Sequence, residues 1–199
     1  MKGGPRYKLA LKRRRQGKTD YRLRYRLVIS QKPRAVVRKT NKYILVQIVE
    51  FDAKGDKTIV AAHSKELSKL YNWKGYGKNT CAAYLTGYLA GLRAKQKGIN
   101  EAILDIGLQT PSKGNRIFAA LKGLVDAGIQ IPHSEEILPD EERVKCEHIS
   151  KWAEDLKKNN EDAYKRQFSK QLGRLPPEEL SRHFEEVLNA IKSKEGGSK

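Results

Sequence analysis

Polar and apolar side chains alternate along Arg34 to Lys39, Tyr43 to Phe51 and Lys57 to His63, three segments rich in Val and Ile. A period of two marks strands that rest one face on a core. The joins, Thr40-Asn41-Lys42 and Asp52-Ala53-Lys54-Gly55-Asp56, hold turn residues and predict hairpins, so the three strands are antiparallel. In the middle strand Tyr43, Leu45, Gln47 and Val49 share one face, and Ile44, Val46, Ile48 and Glu50 share the more apolar other.

The period then lengthens. Cys81, Tyr84, Leu85, Tyr88, Leu89 and Leu92 recur at helical spacing and predict a helix from Thr80 to Lys97, capped by Gly98. Gly87 and Gly91 flatten part of its surface for close packing against a sheet. The short apolar run Ala102 to Ile106 reads as a buried strand, parallel to a neighbour because a helix leads into it. A second helix, Asn115 to Ala127, closes at Gly128, giving a βββαβα centre. Pro132 and Pro139 bracket a connector. Beyond it, Val144, Ile149, Trp152 and Leu156 predict one amphipathic helix and Tyr164, Phe168 and Leu172 a second. Leu180, Phe184, Leu188 and Ile191 predict a third, begun by Pro176-Pro177. These helices need a partner, either the centre or another macromolecule, and Glu195 to Lys199 should fray.

Residues 21 to 29 fit two patterns. Tyr21, Leu23, Tyr25, Leu27 and Ile29 alternate with Arg22, Arg24 and Arg26 as in a strand, while Tyr21, Tyr25 and Val28 share a helical face. The alternation favours a strand; Thr19 as N-cap with Asp20 in the first turn favours a helix. Either form is expected to show the three arginines on one side.

Charge changes the picture most. The 199 residues hold 41 Lys plus Arg against 23 Asp plus Glu, a net of +18 that points to a polyanionic partner. Residues 1 to 42 hold 16 basic side chains and one acidic, Asp20, whereas residues 134 to 199 are net −2. An arm this basic repels itself and is expected to order only when phosphates neutralise it. The longest uncharged run, Asn79 to Leu92, is 14 residues, too short for a membrane span of ~20. The basic start offers no apolar core of a secretory signal, and Cys81 and Cys146, 65 positions apart without a CxxC pattern, read as lone thiols of a reducing compartment.

Motifs for chemistry are sparse. Gly17-Lys18-Thr19 is not a phosphate loop, because Lys12 stands where that loop needs Gly and no strand precedes it. Cys146-Glu147-His148 lacks a second ligand pair for zinc. The paired glutamates of the tail sit among Lys and Arg as solvated helix faces. One enzymatic alternative has physical content: Asp105 in the buried strand, brought near Asp52 and Asp56, would bind Mg²⁺ as an RNA-processing nuclease does. For binding, Tyr71, Trp73 and Tyr76 interleave with Lys69, Lys74 and Lys78, an arrangement that either stacks on bases or plugs a core end. Lys113 and Arg116, at the mouth of the second helix, suit an anion, though Ser112 or Asn115 there also serves as a plain cap.

The arm GPRYKLALKRRRQGKTDYRLRYRL, the strand text VVRKTNKYILVQIV, the segment AAHSKEL, the helix AYLTGYLAGLRA, the run LDIGLQTPSKGNRIFAALKGLVDAGI and the tail PHSEEILPDEER together resemble the large-subunit ribosomal protein eighteen family in its archaeal and eukaryotic form. The likeness spans nearly the whole chain. It implies an α/β fold, to which the pattern above gives a mixed sheet of three antiparallel strands plus one parallel strand, and residues 19 to 29 helical. It also implies binding to 5S rRNA and its attachment to 23S rRNA in the central protuberance, beside neighbouring large-subunit proteins in the cytoplasm. No catalytic residue, metal or cofactor is implied. The expected organisation is a basic arm (1–18), an α/β RNA-binding domain (19–133) and a helical extension (134–199). The expected RNA contacts are Arg6, Lys8, Lys12, Arg13, Arg14, Arg15 and Lys18 in the arm, then Arg22, Arg24 and Arg26. The hairpin adds Arg38, Lys39, Asn41, Lys42, Tyr43 and Gln47, with Trp73, Lys74, Lys78, Lys113 and Arg116 as secondary contacts.

Overall fold

The computed structural model describes Gly4 and residues 8–196. Its elements run α1 (Lys12–Arg15), α2 (Tyr21–Ile29), β1 (Arg34–Lys39), β2 (Ile44–Glu50), β3 (Lys57–His63), α3 (Ser64–Leu70), α4 (Thr80–Gln96), β4 (Ile103–Asp105), α5 (Arg116–Asp126), α6 (Glu141–Val144), α7 (Glu147–Asn159), α8 (Glu161–Leu172) and α9 (Leu180–Gly196), with 3-10 turns at Glu135–Ile137 and Pro177–Glu179.

Four strands form one sheet in the order β3-β2-β1-β4. β1 and β2 pair antiparallel from Arg34 opposite Val49 to Lys39 opposite Ile44, β2 pairs antiparallel with β3 through a bulge at Ile48/Val49, and β4 lies parallel to β1. The alternation read from the sequence sets the sides: Ala35, Val37, Ile44, Val46, Ile48, Val60 and Ala62 are all buried in the main core. On the opposite face lie Arg34, Val36, Arg38, Gln47 and Thr58.

α4 crosses β2 and β3 on the core side and α5 lies over β1. α4 is buried nearly all round, which is why its apolar residues do not form a single stripe. Gly87 and Gly91 were expected to face the sheet; they face α5 instead. A Cβ on Gly87 would overlap the Ala120 carbonyl, and one on Gly123 would overlap that of Tyr84, so the two helices touch backbone to backbone.

α3 was not foreseen. It starts in a reciprocal cap: His63 Nδ1 accepts from the Lys65 amide at 3.0 Å, and Glu66 Oε1 accepts from the His63 amide at 2.9 Å. α2 is helical, with Asp20 rather than Thr19 as its cap, accepting from the amides of Arg22 and Leu23. Within the arm, Lys12–Arg15 form the turn α1, beside which Arg13 Nε donates to Thr19 Oγ1 at 2.8 Å.

The tail leans on the centre through α9. Leu180, Phe184, Val187 and Ile191 join the main core, with the Phe184 ring 5.8 Å from that of Tyr84. Glu195, expected to fray, accepts from Tyr71 Oη at 2.9 Å and from Arg93 Nε at 3.3 Å; residues 197–199 lie outside the described ones. α7 and α8 pack on each other around Ala153, Tyr164 and Phe168. The cysteines are not lone thiols. Cys81 in α4 and Cys146 before α7 are fully buried and disulfide-bonded, with Cα atoms 5.9 Å apart, because the tail folds back over the start of α4. Cys146 takes φ 66°, a backbone region that a non-glycine residue occupies only when its surroundings hold it there.

Candidate nucleic-acid interface

Lys8, Lys12, Arg13, Arg14, Arg15 and Lys18 are exposed along the arm, while Arg6 lies outside the described residues. On α2 the expectation of three arginines on one side fails, because positions two apart on a helix point nearly opposite ways. Arg22 and Arg26 are exposed to solvent, whereas Arg24 turns inward to Asp56 at 2.7 Å.

Arg24 opens a chain of charges across the outer face of the sheet. Asp56 also meets Arg34 Nη2 at 2.6 Å; Arg34 Nη1 reaches Asp105 Oδ2 at 3.1 Å; and Asp105 Oδ1 accepts from Arg38 Nη2 at 2.8 Å and from the Gly107 amide at 2.9 Å. Gly107 has φ +64°, and a Cβ there would press into the Arg38 guanidinium, so glycine serves both the turn and the arginine above it. Two carboxylates are thus held by three guanidinium groups, leaving no vacant oxygen pair for Mg²⁺. Asp52 stands apart, accepting from the Lys54 amide in its turn. Among the described residues no group of three metal-binding side chains assembles, and the geometry expected of the nuclease alternative is not formed. The network floors a cleft of about 310 Å³ that Arg13, Lys18 and Gln47 also line.

Of the remaining hairpin residues, Asn41, Lys42 and Tyr43 lie elsewhere, at the β1–β2 turn. They wall a groove of about 890 Å³ together with Lys74, Tyr76 and Lys78, and none of the groove's lining residues is acidic. Trp73 reaches this wall but cannot stack on a base: it is 2% exposed, its ring lies 5.5 Å from His183 and nearly parallel to it, and it plugs the core end. Tyr76, 48% exposed, is the most exposed of the groove's aromatics. Gly77 packs against Tyr43 and the Lys42 carbonyl, fastening the loop to the hairpin.

An adjoining cavity of about 630 Å³ joins Lys39, Lys78, Lys113 and Arg116 at the starts of α4 and α5. Asn115 caps α5 by position only, without a side-chain bond to the helix amides. Arg143 and His148 of the tail also line it; burial, with Arg143 nearby, pulls the His148 imidazole below its ordinary value despite a backbone hydrogen bond that favours its charge. Lys65, Arg143 and Arg174 escaped the sequence reading, which names Lys69 beside the aromatic loop. Lys65 was findable, since SKELSKL sets it four residues before Lys69 on one helical face.

The family described as "Ribosomal large subunit proteins 60S L5, and 50S L18" matches residues 5–100 and 93–134. The chain is 62% identical over 189 residues to "Large ribosomal subunit protein uL18" of Aeropyrum pernix, covering 94% of this chain and 88% of that one. It is 55% identical to the protein of the same name from Ignicoccus hospitalis, covering 96% and 94%, and 54% identical to that of Saccharolobus islandicus, covering 98% and 100%. With most of the chain matched on both counts, it belongs to the uL18 family of large ribosomal subunit proteins.

Proposed function

We propose that this chain is a structural, non-enzymatic constituent of the large ribosomal subunit that binds 5S rRNA and helps attach it to 23S rRNA, beside neighbouring subunit proteins. The observation that carries the reading is the split in its basic residues. Arg24, Arg34 and Arg38 are ion-paired with Asp56 and Asp105, while Lys8, Lys12 to Arg15 and Lys18 of the arm, Arg22, Arg26 and the hairpin turn leave their cations facing solvent. Cations without carboxylate partners attract phosphate, and counterion release then supplies affinity. Positioned groups such as Asn41 and Tyr43 sense RNA shape and unpaired bases. The organisation that fits is an arm (1–18) for affinity, a central domain (19–133) for selection and a helical extension (134–199).

The test is a gel shift with labelled 5S rRNA and Mg²⁺. The complex should form and the RNA stay intact; cleavage that Asp105→Asn abolishes would establish the nuclease instead.

A further inference from the structure

The groove at the hairpin turn differs from the sheet-face cleft in a way that the total charge hides. The two share no lining residue. Six cations border the groove: Lys42, Lys65, Lys69, Lys74, Lys78 and Arg174. Among the described residues none of them is ion-paired, although fifteen pairs form elsewhere, six of them in the sheet-face network and around Arg93. Four separate parts of the chain supply them. The hairpin gives Lys42, α3 gives Lys65 and Lys69, the loop between α3 and α4 gives Lys74 and Lys78, and the tail, net acidic as a whole, gives Arg174. The only acid on α3, Glu66, turns away to Arg93 at 2.8 Å.

Into this basic trough stands Tyr76, half exposed, on a loop pinned from below by buried Trp73 and by Gly77 against Tyr43. Lysines along a channel with an anchored, solvent-facing aromatic ring are what an unpaired nucleic-acid strand requires: phosphates follow the ammonium groups, and a base, whatever its identity, stacks on the ring. A duplex has its bases covered by their neighbours and offers the ring no face.

We infer that this groove is a second RNA surface, which takes an unpaired strand by stacking a base on Tyr76, and that the C-terminal extension takes part through Arg174. The inference rests on the rRNA-binding reading above, which already uses Asn41, Lys42 and Tyr43 at one edge of the groove, and adds to it the stacking ring of Tyr76, a strand type and a role for the tail.

The test uses the full chain and a labelled twelve-nucleotide oligouridylate, with a twelve-base-pair RNA duplex and an oligoglutamate of equal length as comparison probes. Tyr76→Ala should weaken the single strand about five- to tenfold and Tyr76→Phe hardly at all, on the scale of one lost base stack. Lys69→Glu with Lys74→Glu should weaken it more than tenfold, and Arg174→Ala by a smaller factor. Circular dichroism melting of Tyr76→Ala should be unchanged, since half of that side chain is already in solvent. Single-strand affinity that ignores all these changes, or oligoglutamate that binds more tightly and is indifferent to Tyr76→Ala, would overturn the inference. Loss of the 5S rRNA gel shift in the unsubstituted protein would instead overturn the parent reading, so the two failures are separable.

Discussion

Arg34 and Asp105 meet at 3.1 Å across the parallel strands β1 and β4, with only 4% and 7% of their side chains exposed. Removing one partner from a buried pair leaves a charge without its compensation. Arg34→Met should therefore cost on the order of 3 kcal/mol, moderated because Arg24 and Arg38 still hold the two carboxylates. In the double variant Arg34→Met, Asp105→Leu much of that loss should return, as buried pairs exchanged for apolar ones often do. Urea unfolding of the two singles and the double measures the coupling; strict additivity would show the pair to be energetically idle.

Gly123→Ala and Gly87→Ala should each destabilise by at least about 1–3 kcal/mol, because the new methyl must displace backbone rather than a movable side chain. Gly173→Ala, with open space around its Cβ position, is the control and should be near neutral. Thermal melting separates them.

Much of this architecture was open to inspection in the sequence, and the exceptions have physical causes. β1 to β3, α4 and α5 announce themselves through alternation or helical spacing because each buries a regular set of side chains. α3 buries only Ser64 and Leu67, too few to print a period, and its start depends on a His63–Glu66 cap. The partners of Gly87 and Gly91, the Cys81–Cys146 bond and the network through Arg24, Arg34, Asp56 and Asp105 join residues far apart in the chain, and no local pattern encodes them. Arg34 in particular reads as an ordinary polar residue at a strand start, yet it is 3% exposed. The candidate site was half legible: arm, hairpin and the lysines of the aromatic loop were visible as charge, while Arg174 joined them only through folding.

The disulfide makes a chemical prediction. Thiol titration of the unfolded, unreduced protein should find no free thiol, and reductant should free both cysteines. Cys146→Ser should lower stability by about 2–4 kcal/mol, with a change in the tail's attachment to α4 visible as faster hydrogen exchange in α6 and α7. Two free thiols in the untreated protein would show the bond is not made.

Replacing Arg13, Arg14 and Arg15 by Ala should weaken 5S rRNA binding and flatten its salt dependence by about two to three phosphate contacts. Substituting Glu178 and Glu179 should change neither, as these side chains belong to the turn before α9. Binding constants between ~50 and ~200 mM salt decide it; an unaltered slope would assign the arm to another partner.

Glu178 gives a pH dependence. Burial pushes its carboxyl up, but its backbone amide, the Lys157 ammonium at 3.1 Å and the Tyr164 hydroxyl at 2.9 Å outweigh that and hold it below the ordinary value of 4.5. The folded state thus favours the carboxylate. Its contribution is fully present above pH 4.5 and is lost as the pH falls through the lower folded value. Tyr164 works at the other end: burial and then Glu178 push it up to about 12, so its contribution holds below pH 10 and fades as the pH rises toward that value. Glu178→Gln should cost roughly 1.5 kcal/mol near neutrality, and the cost should shrink as the pH falls below 4.5, measured as the difference in urea midpoints at each pH.

At Gly87 and Gly123 nothing but backbone separates α4 from α5. Helices spaced by a layer of side chains can slide as those side chains change rotamer; helices in backbone contact have no such play, since close-packed atoms have nowhere to move. The pair behaves as one stiff plate, and its two leading ends, Thr80 and Arg116, stand in the wall of the same basic cavity. A polyanion arriving there meets a surface whose shape is fixed in advance, so little ordering entropy is spent on the protein side when it settles.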